Sequence, residues 1–205
     1  MMIDQDQHYY TQGYDASVDP YVMDNGVLIN LLGLSDTQSL NEIEADLSQL
    51  QIQQILLAPP PSMFDAAYLC ELHRYIFSLI YPWAGEFRHV GIGKGDTIFL
   101  APDDIPLALD QLFADLSINQ SSLQNDSVRF SDYVGHLLVQ LNYIHPFREG
   151  NGRTQRLFVS KLAQFAQLDL GWQAVSNDAM RRACIEGIEG NPRAMTRLLL
   201  LNIKV

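Results

Sequence analysis

His145-Pro146-Phe147-Arg148-Glu149-Gly150-Asn151-Gly152-Arg153-Thr154-Gln155-Arg156 is the stretch that decides how this chain is read. Within it stand a titratable base, a carboxylate, an amide between two glycines and, beyond them, two arginines three residues apart. Upstream, Val134, Leu137, Leu138, Leu141 and Ile144 recur at helical spacing, with Ser131 and Asp132 as start signals. Pro146 removes a donor and disfavours the helical region for His145, so that helix should stop at the histidine. Downstream, Leu157, Phe158, Leu162, Phe165 and Ala166 repeat with the same period, and a second helix should start near Gly152 or Arg153. The stretch is therefore a short loop between two helices.

Glycines at 150 and 152 let the backbone turn tightly and leave amide hydrogens open to a ligand. A helix N-terminus adds unpaired N–H groups and a partial positive charge, which together attract an anion. At about 100° per residue, Arg153 and Arg156 lie about 60° apart, opposite the apolar stripe of their helix, so both can face the loop. A guanidinium suits phosphate oxygens because its fork donates two parallel hydrogen bonds and keeps its charge at every relevant pH. Glu149 is the hard oxygen ligand that a nucleotide's Mg²⁺ prefers. A zinc site from His145 and Glu149 is set aside: Pro146 and Gly150 break the helix that such a pair needs, and no second histidine follows at ligand spacing.

The twelve residues match, at every specified position, the H-x-F-x-(D/E)-G-N-G-R-x-x-R signature of the Fic family, and the chain is identified as resembling it. The resemblance implies a mainly α fold, a helical bundle with a small β-hairpin flap. It also implies protein adenylylation, the transfer of AMP from ATP to a hydroxyl side chain (Ser, Thr or Tyr) of another protein with release of pyrophosphate. Carried over by position, His145 is the general base, Phe147 anchors the loop, and Glu149 holds Mg²⁺ between the α- and β-phosphates. Gly150, Asn151 and Gly152 form the anion hole, with Asn151 on the α-phosphate, while Arg153 and Arg156 take the β- and γ-phosphates. An imidazole with an unperturbed pKa of about 6.5 can accept a proton near neutral pH.

Val90, Ile92, Ile98 and Phe99 flank Gly93-Lys94-Gly95-Asp96, which reads as two short strands around a turn. In the family the matching hairpin is a flap that lines up the target segment by strand addition, and Lys94, Gly95 and Phe99 are its counterparts here. Trp83-Ala84-Gly85-Glu86-Phe87-Arg88, just before it, also looks like a family feature.

The remaining chain supplies helices. Ser35 and Asp36 precede a Leu40, Ile43, Leu47, Leu50 repeat, and that order resembles the N-terminal region of the short bacterial Fic toxins. Ser62 and Asp65 precede Leu69, Leu72, Ile76, Leu79 and Ile80, a helix that should run to Pro82 with His73 as a structural residue. Ile105, Leu109, Leu112, Phe113 and Leu116 form another, and a polar stretch near 118–127 reads as a surface link. Ser176 to Asp178 and Asn191-Pro192 mark two further helix starts. Residues 1–20 are acidic and tyrosine-bearing without an apolar period, a mobile or draped arm, and residues 21–205 read as a single domain.

Composition sets the limits. At 205 residues and 47% apolar the chain can bury a substantial core. A formal charge of −11 argues against direct nucleic-acid or anionic-membrane binding and favours a basic partner surface. Cys70 and Cys184 read as reduced core thiols, and no segment resembles a leader or the roughly 18 apolar residues of a membrane span, so the cytoplasm is the expected location.

Many family members restrain themselves with an S/T-x-x-x-E-G/N helix. Here Glu186-Gly187 and Glu189-Gly190 are preceded at that distance by Arg182 and Ile185, and no match occurs around Ser35 to Glu44. The resemblance then implies a glutamate supplied to Arg156 by a separate small antitoxin, and a target class that includes type II topoisomerase subunits. Two alternatives stay open: transfer of another phosphate-containing group, or a nucleotide-dependent protein-binding module without transfer.

Overall fold

The computed structural model describes residues 10–11 and 19–204. In chain order the elements are β1 (Tyr10–Thr11), α1 (Thr37–Leu57), α2 (Ala66–Phe77), β2 (Ile92–Lys94), β3 (Thr97–Ile98), α3 (Ile105–Asn119), α4 (Ser127–Ile144), α5 (Asn151–Phe165), β4 (Asp169–Leu170), α6 (Asn177–Ile188), α7 (Arg193–Asn202) and β5 (Ile203–Lys204). The described part is thus mainly α, as expected.

Helix α4 is the axis of the bundle. Phe130, Val134, Leu137, Leu138, Leu141 and Ile144 are all buried along it, and it packs against α3, α5, α6 and α7. Burial of each such side chain contributes about 1.5–3 kcal/mol, far more than helix propensity does. Gly135 is where α7 comes closest: a Cβ there would lie 2.7 Å from Thr196 Oγ1 and 3.0 Å from its backbone. Helix α5 lays Leu157, Phe158 and Leu162 into the same core, with Phe158 edge-on to Phe64 at 5.5 Å.

Asp36, Asp65 and Ser176 each accept the amide three residues on, as the start signals imply. For α4 the start differs: Asp126 is the cap, because Phe130 extends the buried line one turn ahead of Val134. The polar link also differs, since α3 runs to Asn119 and a 3₁₀ turn over Gln120–Leu123 buries Leu123. Helix α2 ends at Phe77, not Pro82. There the Ile80 and Tyr81 amides turn back to the Phe77 carbonyl, which buries both side chains and leaves Leu79 exposed.

On α1 the apolar repeat misleads. The inward line is Leu40, Glu44 and Ser48, whereas Ile43 and Leu50 face solvent.

The expected hairpin forms, with Gly93 opposite Ile98 and Lys94 opposite Thr97. It carries a third strand that the sequence did not announce: Tyr10 pairs with Gly93 and Thr11 with Ile92, antiparallel, on the outer edge of β2. Most of the expected arm, 1–9 and 12–18, lies outside the described residues. Asp19 at its root is fixed by an ion pair to Arg148. Cys70 and Cys184 are unpaired, and burial raises both thiols to about 11. No helix among the described residues is long and apolar enough to cross a membrane.

Gly135→Ala should destabilise the protein by about 1–3 kcal/mol, because the added methyl meets the α7 backbone. A denaturant midpoint equal to wild type would contradict this close approach.

Candidate functional site

The loop from His145 to Gly150 is built on a strained residue. His145 ends α4 in the left-handed region, at φ 47° and ψ 62°, a conformation that costs a non-glycine residue about 1–2 kcal/mol. Its backbone N–H still closes the last turn onto Leu141 O at 3.0 Å. What holds it is Arg88, 1% exposed, whose guanidinium donates to the carbonyls of His145 (2.8 Å), Val90 (2.7 Å), Leu100 (2.5 Å) and Ile144 (3.2 Å). The Arg88 amide also donates to Pro146 O at 2.9 Å. A cation among the last carbonyls of a helix offsets the negative end of its dipole. Burial pulls the Arg88 pKa down to about 10, so it stays charged.

Beyond Pro146 the loop is clamped from inside. Phe147 is buried and stacks on His73 with ring centroids 3.9 Å apart. Gly85 N–H donates to His73 Nδ1 at 2.8 Å, which makes that nitrogen an acceptor, so Nε2 carries the hydrogen and donates to Glu149 O at 3.0 Å. The histidine read as structural therefore fixes the backbone of the carboxylate residue. Asn151 closes the turn with both ends of its amide: Oδ1 accepts from Phe147 N at 2.9 Å and Nδ2 donates to Phe147 O at 2.7 Å. That side chain is committed to the loop. What this start of α5 offers an anion is backbone N–H groups.

His145 itself donates from Nδ1 to Asn142 O at 3.0 Å, which puts the lone pair on Nε2. Phe99 stacks on the ring at 3.8 Å. Burial first, then the charges of Arg88 and Lys94 against one bond to Asn142, lower its pKa to about 3. The imidazole is thus neutral across the working pH range. It is also a weaker base than its unperturbed value implies, so a proton acquired in a reaction needs an anionic neighbour.

The other half of the site is cationic. Gly150 caps α5 at φ 81°, and a Cβ there would lie 2.3 Å from Phe77, so the fold itself demands glycine. At Gly152 it does not: a Cβ would meet only Arg156 Nη1, at 3.6 Å. An open space above a helix N-terminus and beside a guanidinium is the shape an anion would fill. Arg156 borders it, and burial together with the Arg153 charge lowers the Arg156 pKa.

Glu149 Oε1 accepts from Gly150 N at 2.8 Å and lies 3.7 Å from Arg153 Nη2. Burial, then the Glu44 charge, raises its carboxyl pKa. A single carboxylate facing an anion site fits Mg²⁺, which binds through one or two carboxylates plus substrate phosphates. Among the described residues no group of three His, Cys, Asp or Glu side chains surrounds a metal position.

The chain brings His145, Glu149, Gly150, Asn151, Gly152, Arg153 and Arg156 into one turn, with Phe99 against the histidine. Lys94 and Gly95 lie at the tip of the β2–β3 hairpin. Sequence reading missed Glu44 and Ser48, which grip Arg153 from α1, and Asp19, which pairs with Arg148 at 2.9 Å. A Glu and a Ser four apart on the inward side of an amphipathic helix were the available signal.

The Fic/DOC family model matches residues 63–163. Protein adenylyltransferase VbhT of Bartonella schoenbuchensis is 34% identical over 93% of this chain, which spans only 40% of that protein's length. The probable protein adenylyltransferase y4lH of Sinorhizobium fredii is 32% identical over 87% of this chain and 92% of its own. Among solved structures, an N-terminal Fic domain from Bartonella quintana with bound ADP superposes with a TM-score of 0.84, covering 90% of this chain and 94% of that one at 28% identity. The BepC protein of Bartonella tribocorum with bound AMPPNP gives 0.83 over 90% and 96%, at 27% identity.

The two loop glycines should separate in experiment. Gly150→Ala should lower stability by more than about 2 kcal/mol, through the clash with Phe77 and the left-handed backbone. Gly152→Ala should melt like wild type yet bind nucleotide at least about tenfold more weakly, because the methyl occupies the anion space. Comparable nucleotide affinity in Gly152→Ala would contradict that assignment.

A second expectation concerns pH. His73, like His145, is lowered to about 3 by burial, whereas both take about 6.5 when unfolded. The unfolded chain then binds more protons between these values, so stability is complete above pH 6.5 and is lost as pH falls toward 3. Denaturant unfolding at pH 7.5, 6 and 5 should show this decline, and a flat profile would contradict the buried neutral state of both rings.

Proposed function

Because the chain belongs to the Fic/DOC family, we propose that it is a protein adenylyltransferase, moving AMP from Mg-ATP to a Ser, Thr or Tyr hydroxyl of another protein. The observation that carries this reading is the meeting of a neutral imidazole with a cationic turn. His145 donates from Nδ1 to Asn142 O, which leaves the lone pair on Nε2, and at the start of α5 the Arg156 guanidinium borders an open glycine, Gly152.

In the reaction the target hydroxyl oxygen attacks the α-phosphorus and its proton goes to His145 Nε2. The bond from the α-phosphorus to the bridging oxygen breaks, and pyrophosphate leaves toward Arg153 and Arg156. Such a transfer depends on positioning and charge neutralisation more than on covalent help from the protein. Negative charge building on the phosphates is what makes protonation of so weak a base favourable in the transition state. Glu149 would hold Mg²⁺, which when bound adds charge neutralisation at the phosphate oxygens.

Target docking is proposed at the hairpin. Support comes from the chain's own behaviour, since the outer edge of β2 already accepts an antiparallel strand, Tyr10–Thr11. An extended target segment that displaced Tyr10–Thr11 would use the same main-chain donors and acceptors. Restraint is proposed to come from a separate small antitoxin-like protein that brings a glutamate to Arg156, a guanidinium whose burial would reward a carboxylate as it rewards a phosphate. A toxin acting in the cytoplasm on an essential protein, such as a type II topoisomerase subunit, is the biological form of the same proposal.

His145→Ala should reduce transfer of label from α-³²P-ATP to protein by at least about a thousandfold while Mg-ATP affinity changes by less than about threefold. Filter-bound radioactivity and calorimetry read the two quantities. Undiminished labelling would remove His145 as the base.

A further inference from the structure

Arg153 is gripped from outside its own loop. Its Nη1 donates to Ser48 Oγ at 3.1 Å, and its Nη2 pairs with Glu44 Oε1. Glu44 and Ser48 stand one turn apart on α1, so both reach the guanidinium from the same side. Beneath it lies the Phe77 ring, 4.8 Å from the guanidinium carbon, the same ring on which Gly150 rests. The other oxygen of Glu44 accepts from Tyr81 OH, and the Tyr81 ring is stacked on Trp83 at 4.4 Å.

Glu44 is therefore a buried carboxylate, its side chain 8% exposed, with both oxygens engaged, whereas the Arg153 side chain keeps 23% exposure. A carboxylate held out of water beside a site for a triphosphate is costly twice, through lost hydration and through like charge. Its geometry shows a compensating effect. An arginine carries five donors, Glu44 and Ser48 occupy two of its nitrogens from the α1 side, and further N–H groups remain for the loop side. A long side chain already ordered before a ligand arrives loses less rotamer freedom when it binds.

We propose that Glu44 is a positioning residue for nucleotide binding: it holds the Arg153 guanidinium in the orientation that receives the outer phosphates, with Ser48 and Tyr81 bracing the pair. This rests on the nucleotide reading of the loop. Both Glu44 oxygens are held by Arg153 and Tyr81, so it acts on the nucleotide through Arg153 alone.

The test is Mg-ATP affinity by calorimetry on the full chain, together with KM and kcat for label transfer. Glu44→Gln should weaken Mg-ATP binding about tenfold and raise KM for ATP in step, with kcat changing by less than about threefold. In an Arg153→Ala background Glu44→Gln should add no further loss, whereas in an Arg156→Ala background its loss should persist in full. Tyr81→Phe removes one hydroxyl and keeps the ring stack. It should weaken Mg-ATP binding in the same direction by about threefold, and it keeps the test readable if Glu44→Gln lowers the folded yield. Unchanged or tighter binding in Glu44→Gln overturns the proposal, as does a loss that survives removal of Arg153. Wild-type chain that binds and transfers normally beside an unaffected Glu44→Gln overturns this inference alone. Wild-type chain that binds no Mg-ATP overturns the nucleotide reading with it.

Discussion

A buried guanidinium that donates to the carbonyls at the end of α4 is the constraint on which the site depends. His145 sits in a backbone conformation that its Cβ disfavours, directly before a proline that restricts it further. Arg88 stabilises that turn by binding Ile144, His145, Leu100 and Val90 at once, so the end of α4, the loop and the hairpin flanks meet on one cation. Among the described residues no carboxylate pairs with the arginine, and its charge adds to burial, the larger cause, in lowering the His145 pKa. The same contact thus holds the shape of the loop and helps keep its imidazole neutral.

Charge is divided sharply across the molecule. The chain as a whole is acidic, at −11, yet at the head of α5 the Arg153 charge is near enough to lower the Arg156 pKa. Two arginines repel one another there, and a nucleotide's phosphates would relieve the repulsion. Arg148, a third arginine of the loop, is diverted away by Asp19, with both side chains buried. The turn offers an anion two guanidiniums and the helix N-terminus while its third arginine secures the N-terminal end of the fold.

On α1 the sequence misled because a buried ion pair overrode the apolar pattern. On α1 the apolar residues Leu40, Ile43, Leu47 and Leu50 suggested one buried stripe. The structure instead turns Glu44 and Ser48 inward, since Arg153 and Tyr81 need polar partners there, and Ile43 and Leu50 are left outside. Periodicity counts apolar residues and has no means of weighing a buried charge whose partner lies about a hundred positions away. His73 shows the same limit: an apolar helix face marked it as structural, but only the fold reveals that it bonds Glu149 O and Gly85 N–H.

Residue order alone determined the loop between two helices, the helix starts at Asp36, Asp65 and Ser176, and the grouping of His145, Glu149 and the two arginines, because all of these are set by neighbours within one or two turns. It also determined the family, through the eight specified positions of a twelve-residue stretch. Only the tertiary structure decided which tautomer His145 adopts, that Asn151 is spent on Phe147, that Tyr10–Thr11 joins the hairpin, and that α1 holds Arg153. Each of these depends on desolvation and on hydrogen bonds between groups that are distant along the chain or turned by the backbone, and such terms exist only once the chain has closed on itself.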